Sequence, residues 1–574
     1  MFFDVSTRPA RRLATAVRHS LPAGVWAALT VGLLALVLFL RRPDSLLNPQ
    51  FWAEDGTIFY SDAYHHGFWW TLTRPTAGYL NTVPRLVAGL AVLLPMHWAP
   101  LIFNLAAFLI QMVPVFYLLS NRMARWIPDH RLRVAAAFLY AVVPNSYETH
   151  AILDNSQWTL AFAGLLLLVA DPPLNKRGKT YDVLVLTLLS CTGPFALILL
   201  PVALTNVARY RQSTPRSWFA APAAVLTLGS ATQILYLLTS ERQPPSDTSW
   251  PTFQELLRIL STHVFFDSIL GIRGTLEFSR SLTFVHHLAG LALTGLLAVL
   301  VMRSRNRALI GLLYLAAATI CASFARPTSA MASWSSPAFG PRYYLFSSLF
   351  MLYAIMLLCV RKGRGRPLGV LLAVSVMFIG IPRDFVHPGD YTDPPRPDTH
   401  YLDQIAAFET RPAGARFYIP TQPEGWGGMA LTKKTPGSTT SPLDALRMVQ
   451  GEQAYVMNEP FPTTIPTSPE HSFLCFSGWA VDAAAQDRVG GVWLDIDGRL
   501  FPAVDGVENR SPERRAGNPR YRYSGFYREI PRSELEVGTH QLSMVVLTHD
   551  RKGYFRTPWH PFDVHNRGAP DTSP

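Results

Sequence analysis

Leu21–Leu40 reads LPAGVWAALTVGLLALVLFL, twenty residues without one charged side chain. The hydrocarbon core of a bilayer takes about 20 such residues as a helix, so this stretch predicts a membrane span. Arg8, Arg11, Arg12 and Arg18 precede it and Arg41-Arg42 close it. No small-residue cleavage site accompanies it, so it reads as an anchor and not as a removed signal peptide.

The rest of the chain repeats this composition. Of 574 residues, 49% are hydrophobic and 16% charged, with a mean hydropathy of +0.16. Soluble domains carry roughly 25% charged residues. The net charge of +12 does not point to nucleic acid, because the cations gather between apolar runs. The clusters are Arg122, Arg125, Arg131 and Arg133; Lys176, Arg177 and Lys179; Arg209, Arg211 and Arg216; Arg303, Arg305 and Arg307; and Arg361, Lys362, Arg364 and Arg366. That distribution marks cytoplasmic loops. Cys191, Cys321 and Cys359 fall in apolar runs and Cys475 stands alone, which leaves no disulfide framework or zinc spacing.

With a cytoplasmic N-terminus, spans are expected at 24–40, 98–119, 133–148, 156–170, 218–239, 286–302, 308–325, 343–360 and 367–382. The stretch 181–208 is too short for two spans and is broken by Thr192-Gly193-Pro194. It reads as two half-length helices meeting at the break, where irregular backbone survives only inside protein or beside a cavity. The expected fold class is a polytopic α-helical membrane protein with about eleven transmembrane helices, followed by an all-β sandwich or jelly-roll domain. Its parts are a basic N-terminus (1–20), a membrane domain (21–385) with a first external loop at 41–97, and a Pro-rich linker (386–465). The β module (466–566) and a short tail (567–574) follow. Arg41-Arg42 sits awkwardly, on the side expected to be external. In the module, Val492, Leu494 and Ile496 alternate with Trp493, Asp495 and Asp497, and Asp497-Gly498 is a hairpin-turn dipeptide. Arg416–Ile419 reads as one further strand.

The first external loop opens with Phe-Trp-Ala-Glu-Asp-Gly at 51–56. Glu54 and Asp55 place two carboxylates just beyond a span, where an acid can activate a hydroxyl. Asp55 can alternatively start the amphipathic stretch Ile58–Tyr64 as a cap. Arg74 and Arg85, with Tyr79 and Asn81 between them, follow in the same loop; either arginine can clamp a phosphate or anchor at the interface. A second loop carries Glu148, His150, Asp154, Asn155, Gln157 and Trp158. Acid, amide and indole together suit sugar recognition, or simply a polar turn between helices. Arg342, beside Tyr343 and Tyr344, reads as a clamp on a lipid phosphate or as an interfacial anchor. His65-His66 and His286-His287 lack the spacing of a zinc helix.

An ordered set of motifs resembles the GT-C superfamily of bacterial membrane glycosyltransferases. The set is Trp-Ala-Glu-Asp-Gly (52–56), Ala-Gly-Tyr-Leu with Pro-Arg-Leu (77–80, 84–86), Glu148 with Asn155 and Gln157-Trp158, Gly193-Pro194-Phe195 with Pro201, and Gly340 with Arg342-Tyr343. It covers roughly residues 20–385. The resemblance implies a polyprenyl-phosphate sugar donor, a glycan or glycolipid acceptor, and anomeric inversion on the outer face of a bacterial inner membrane. Separately, about eleven crossings from a cytoplasmic N-terminus would leave the C-terminal domain extracytoplasmic. The first-loop acid would be the base, and a divalent cation (Mg²⁺ or Mn²⁺) is used by some members and not by others. Adjacent Glu-Asp departs from the spaced acid-x-acid pattern of oligosaccharyltransferases. The tail resembles β-sandwich modules fused to surface-polysaccharide proteins. Rival readings are a lipid-linked-glycan flippase or other transporter, a polysaccharide polymerase or ligase, and a non-catalytic assembly protein.

Overall fold

The computed structural model describes residues 23–210, 216–240, 251–325, 336, 340–363, 365–385, 398–411, 416–423, 428–434, 447–448, 473–531, 534–535 and 538–564. The basic N-terminus, most of the 386–465 stretch and the 567–574 tail lie outside them. The chain forms two compact units. One comprises Met1–Pro49, Trp69–Leu90 and Pro100–Pro395; the other comprises Gln50–Phe68, Ala91–Ala99 and Arg396–Pro574.

The first unit is helical. Among the described residues, seven helices are long and apolar enough to cross a membrane: Gly24–Arg41, Met96–Leu119, Trp218–Thr239, Phe284–Ser304, Arg307–Phe324, Pro341–Val360 and Arg366–Phe385. They fit a multi-pass membrane protein. Pro341–Val360 is the central one, with every residue from Tyr344 to Ile355 buried. Seven of the expected spans coincide with these helices, and others come out shorter. In place of a 133–148 span the helix is His130–Ala141, because Pro144 disfavours helical backbone just before it and Asn145 turns to φ 54°. Ser156–Val169 has 14 residues, short of the length a span needs.

The break at 191–194 forms as expected, between Lys176–Ser190 and Phe195–Arg209. Its freed backbone groups are satisfied inside the protein. Thr82 N–H donates to the Cys191 carbonyl (2.9 Å), Gly193 N–H to the Leu80 carbonyl (2.9 Å), and Val83 N–H to Thr192 Oγ1 (3.2 Å). Gln233, fully buried on the Trp218–Thr239 helix, accepts from Leu80 N–H and donates to the Leu80 and Ser190 carbonyls. Non-helical backbone is thus kept only where protein partners replace the lost helix bonds.

The second unit is rich in strands. One sheet runs in the order Arg499–Pro502, Gly491–Ile496, Gly538–Leu547, Gly553–Arg556, Arg447–Met448, with His560–Val564 also pairing Gly538–Leu547. The other runs Gly428–Thr432, Arg416–Pro420, Val504–Val507, Gly525–Pro531, Phe473–Trp479. Ile496 faces Arg499 across the Asp497-Gly498 turn, giving the two-residue hairpin that the dipeptide predicts. Leu494, Val546 and Phe562 from the first sheet share one core with Leu474, Phe526 and Ile530 from the second. Trp493, on the opposite pleat, packs a separate cluster with Val545 and Leu547, so both faces of this strand are covered. The 386–465 stretch is not simply a linker. Its described residues form the helix Tyr401–Glu409 and two full strands, Arg416–Pro420 and Gly428–Thr432, the first of them paired in parallel with Val504–Val507. The alternation Phe417/Ile419 and Met429/Leu431, all fully buried, explains this outcome.

Candidate functional site

In the first unit, Glu148 and Arg342 meet. Glu148 lies in the one-turn helix Tyr147–Thr149 after Asn145, and Arg342 lies in the turn Pro341–Tyr344 that opens the helix Leu345–Val360. Arg342 Nη1 is 2.9 Å from Glu148 Oε2, and the arginine side chain keeps 25% of its surface exposed. Its guanidinium also sits 4.9 Å from the centroid of the Tyr343 ring, a cation–π contact. Tyr343 meets Trp158 edge-on at 5.5 Å, and Trp158 packs against Phe195 at 4.9 Å. Asn155 donates to the Glu148 carbonyl (2.9 Å) and so fixes the loop rather than offering its amide outward.

The Tyr79–Asn81 segment joins this wall. Gln157 Nε2 donates to Tyr79 Oη (3.3 Å), and Asn81 Nδ2 donates to Asp154 Oδ1 (3.2 Å). Burial raises the Tyr79 phenol pKa, and the Asp154 carboxylate adds to the rise. Gly193 has φ +76°, and a Cβ there would stand 1.9 Å from Gln157 Oε1. The helix break therefore sets the Gln157 side chain. Tyr79, Asn81, Glu148, Asn155, Gln157, Trp158, Arg342 and Tyr343 form one connected set.

The two first-loop arginines separate by environment. Arg85 is buried and donates to Thr71 Oγ1 (2.9 Å) and Thr76 Oγ1 (2.8 Å), which ties the Pro75–Leu80 hairpin to its helix. Arg74 is exposed and stacks on Trp70 at 4.3 Å, with no carboxylate partner among the described residues.

The loop carrying Glu148 is braced by groups to which sequence reasoning assigned no role at this site. Arg42, buried, donates from Nη1 to the His150 and Ala151 carbonyls (3.1 Å each), and Arg41 donates to the Ala141 carbonyl (3.1 Å). Their charge is spent inside the protein, which resolves their awkward place in the charge pattern. Gln111 Nε2 donates to the Thr149 carbonyl (2.8 Å). Asp384 accepts from Asn145 N–H (2.9 Å) and Ile272 N–H (3.0 Å). Asp267, wholly buried, accepts from Asn145 Nδ2 (3.2 Å) and contacts His263 Nδ1 (2.9 Å), and burial pushes its pKa up. His263 stacks on Tyr344 at 4.1 Å. Glu148 and Arg342 are thus each held from behind, three and two residues away.

Glu54 and Asp55 belong to the second unit. Phe51 and Ala53 bond Gln422 through backbone groups, and Trp52 is buried. Ala53 has φ +27°, a strained value for a residue with a Cβ. A Cβ on Gly56 would lie 2.7 Å from Thr421 and 3.0 Å from Phe51, so no larger residue fits without movement. Asp55 is 0% exposed and opens the π-helical turn Asp55–Tyr60, so it lies within the helix rather than capping it from outside. Four of the five motif residues therefore have a packing role. Glu54 is the one with surface exposed. His65 uses both ring nitrogens: Nδ1 bonds the Ser61 carbonyl (2.8 Å) and Nε2 accepts from Thr432 N–H (3.2 Å). No three His, Cys, Asp or Glu side chains converge as a metal site among the described residues.

No family model matches the chain, and no curated protein matches it significantly.

Proposed function

We propose that this protein is an inverting membrane glycosyltransferase of GT-C type, using a polyprenyl-phosphate sugar and a glycan or glycolipid acceptor on the extracytoplasmic face. The observation that carries this reading is the Trp52–Gly56 frame, a strained and close-packed turn in which Glu54 is the one partly exposed residue. Holding a carboxylate on a rigid frame is what a general base requires. In this reading the acceptor hydroxyl gives its proton to Glu54 as its oxygen attacks the anomeric carbon, and the sugar–phosphate bond breaks with the electron pair leaving on the polyprenyl phosphate. Asp55 is a positioning residue. The cations offered to the leaving phosphate are Arg74, exposed and stacked on Trp70, and Arg342, tethered by Glu148. Tyr343 and Trp158 supply the aromatic surface on which a sugar face stacks, beside the Gln157 and Tyr79 polar groups. The strand-rich C-terminal part is read as a β-sandwich that binds glycan or a partner.

The test is transfer from a radiolabelled polyprenyl-phosphate sugar by the full chain in proteoliposomes. Glu54→Gln should lower turnover by about 10²–10⁴-fold with an unchanged unfolding temperature. Asp55→Asn should lower both, while keeping the pH–rate profile that a titrating Glu54 produces. Retained turnover in Glu54→Gln removes the base. Turnover that is abolished by chelator and restored by Mg²⁺ or Mn²⁺ would assign the acid to a cation instead.

A further inference from the structure

Three of the arginine clusters expected in cytoplasmic loops meet at one end of the helical unit, where the proposed chemistry makes no use of them. Arg125 follows the Met96–Leu119 helix, Arg209 ends Phe195–Arg209, and Arg307 opens Arg307–Phe324. Together they edge a cavity of about 580 Å³. Arg125 and Arg307 both donate to one hydroxyl, Tyr210 Oη, at 3.3 and 3.1 Å. Both guanidinium groups also lie over the Trp126 ring, at 5.4 and 5.6 Å from its centroid. Tyr210 itself is fixed by stacking on Phe219 at 4.4 Å.

Two cations drawn to one neutral phenol repel each other unless an anion comes between them. Among the described residues no carboxylate forms an ion pair with Arg125, Arg209 or Arg307, and Asp171 is the only acid in the cavity wall. Below the cationic rim the wall turns apolar, with Leu168, Pro201 and Ile310. A cationic, aromatic rim over an apolar wall between spanning helices matches a phosphate carried on hydrocarbon.

We infer that this cavity is a binding site for an anionic phospholipid of the surrounding bilayer, its phosphate held by Arg125, Arg307 and Arg209 and its acyl chain lying along the apolar wall. The site is separate from the residues proposed for sugar transfer and takes its ligand at the arginine-rich ends of the helices. The lipid supplies the counter-charge that lets the loops bearing Arg125 and Arg307 close on Tyr210.

The experiment is native mass spectrometry of the detergent-purified full chain with an equimolar mixture of phosphatidylglycerol and phosphatidylcholine. The wild type should retain phosphatidylglycerol in clear excess, and equal retention of the two lipids would overturn the inference without any variant. Arg125→Gln with Arg307→Gln should weaken phosphatidylglycerol retention about twenty-five-fold, at about five-fold per cation. Arg303→Gln with Arg305→Gln removes the same charge from exposed neighbours and should leave retention unchanged. An equal loss in both double variants would mean general surface attraction and would sink the site. Arg125→Lys with Arg307→Lys keeps the charge and should retain most of the binding, which separates a lost site from a lost fold. Displacement of the lipid by millimolar inorganic phosphate would show a free-phosphate site and overturn the lipid assignment.

Discussion

Arg411–Asp505 in the strand-rich unit and Arg342–Glu148 in the helical unit are both arginine–carboxylate pairs with a buried acid, and the two are built for opposite ends. In the strand-rich unit, Arg411 Nη1 lies 3.2 Å from Asp505 Oδ2 with side chains only 2% and 4% exposed. Burial pushes the Asp505 pKa up and brings Arg411 down to about 10, so the interior opposes both charges. Arg411 is further fixed by the Val489 carbonyl (3.1 Å) and the Phe417 ring (4.8 Å). In the helical unit, Arg342 keeps a quarter of its surface free beside an aromatic wall while Glu148 is enclosed. A sealed pair is a lock whose members have no outlet. A half-open pair holds a cation in place and still presents it to a ligand.

The largest effect should come from breaking the lock. Arg411→Met removes the ion-pair partner of a buried carboxylate, leaving it only the fields of Arg488 and Arg551, and should cost about 3 kcal/mol, read as lost amide protection in Arg416–Pro420 and Val504–Val507 of the full chain. Adding Asp505→Leu should recover that loss to within about 1 kcal/mol, because two apolar side chains suit a sealed site. A harmless single substitution would erase the contrast between the pairs. Next comes the half-open pair. Arg342→Gln should cost only about 1–2 kcal/mol of local protection, yet lower sugar transfer at least ten-fold if its free face meets a phosphate. An equal loss of protection in both units would make Arg342 a second lock.

A smaller effect follows from protonation. A carboxyl that is harder to ionise in the fold than in the open chain binds its proton more tightly when folded. The Asp505 contribution is therefore present below pH about 4 and is lost as pH rises through its raised folded value. Asp505→Asn should flatten that part of the pH dependence of protection in Val504–Val507. The smallest effect belongs to a surface acid at a helix start. Thr252 caps Phe253–Leu260 in a reciprocal box with Glu255, whose pKa is lowered by the Thr252 N–H and hydroxyl. Thr252→Ala should cost about 1 kcal/mol of helix protection. In the wild type the Glu255 contribution should be lost as pH falls through its depressed folded value.

Much of the helical unit was legible because hydrophobic length is a local property. Seven spans and the break at Thr192-Gly193-Pro194 follow from runs of apolar residues and one proline. The 133–148 span was overestimated, since Val142 and Val143 continue the apolar run while Pro144 and Asn145 end the helix. In the strand-rich unit, the Val492–Gly498 hairpin carried its own signal, but Gly428–Thr432 is short and surrounded by Pro and Gly. At the candidate site, chemical type marked Glu148, Gln157, Trp158 and Arg342. It could not separate Arg74 from Arg85, or Glu54 from Asp55, because these differ in burial and not in residue type.

The amino-acid order alone determined where apolar helices run, which loops collect cations, and where an acid pair stands between aromatic residues. Only the tertiary structure decided that Arg41 and Arg42 turn inward onto carbonyls, that Asp55 is enclosed while Glu54 is not, and that residues 50–68 join the unit containing the C-terminal strands. The physical reason is that hydropathy and turn chemistry act between near neighbours in the chain. Burial and charge pairing depend on residues a hundred or more positions away, as Arg42 and His150, or Glu148 and Arg342, show.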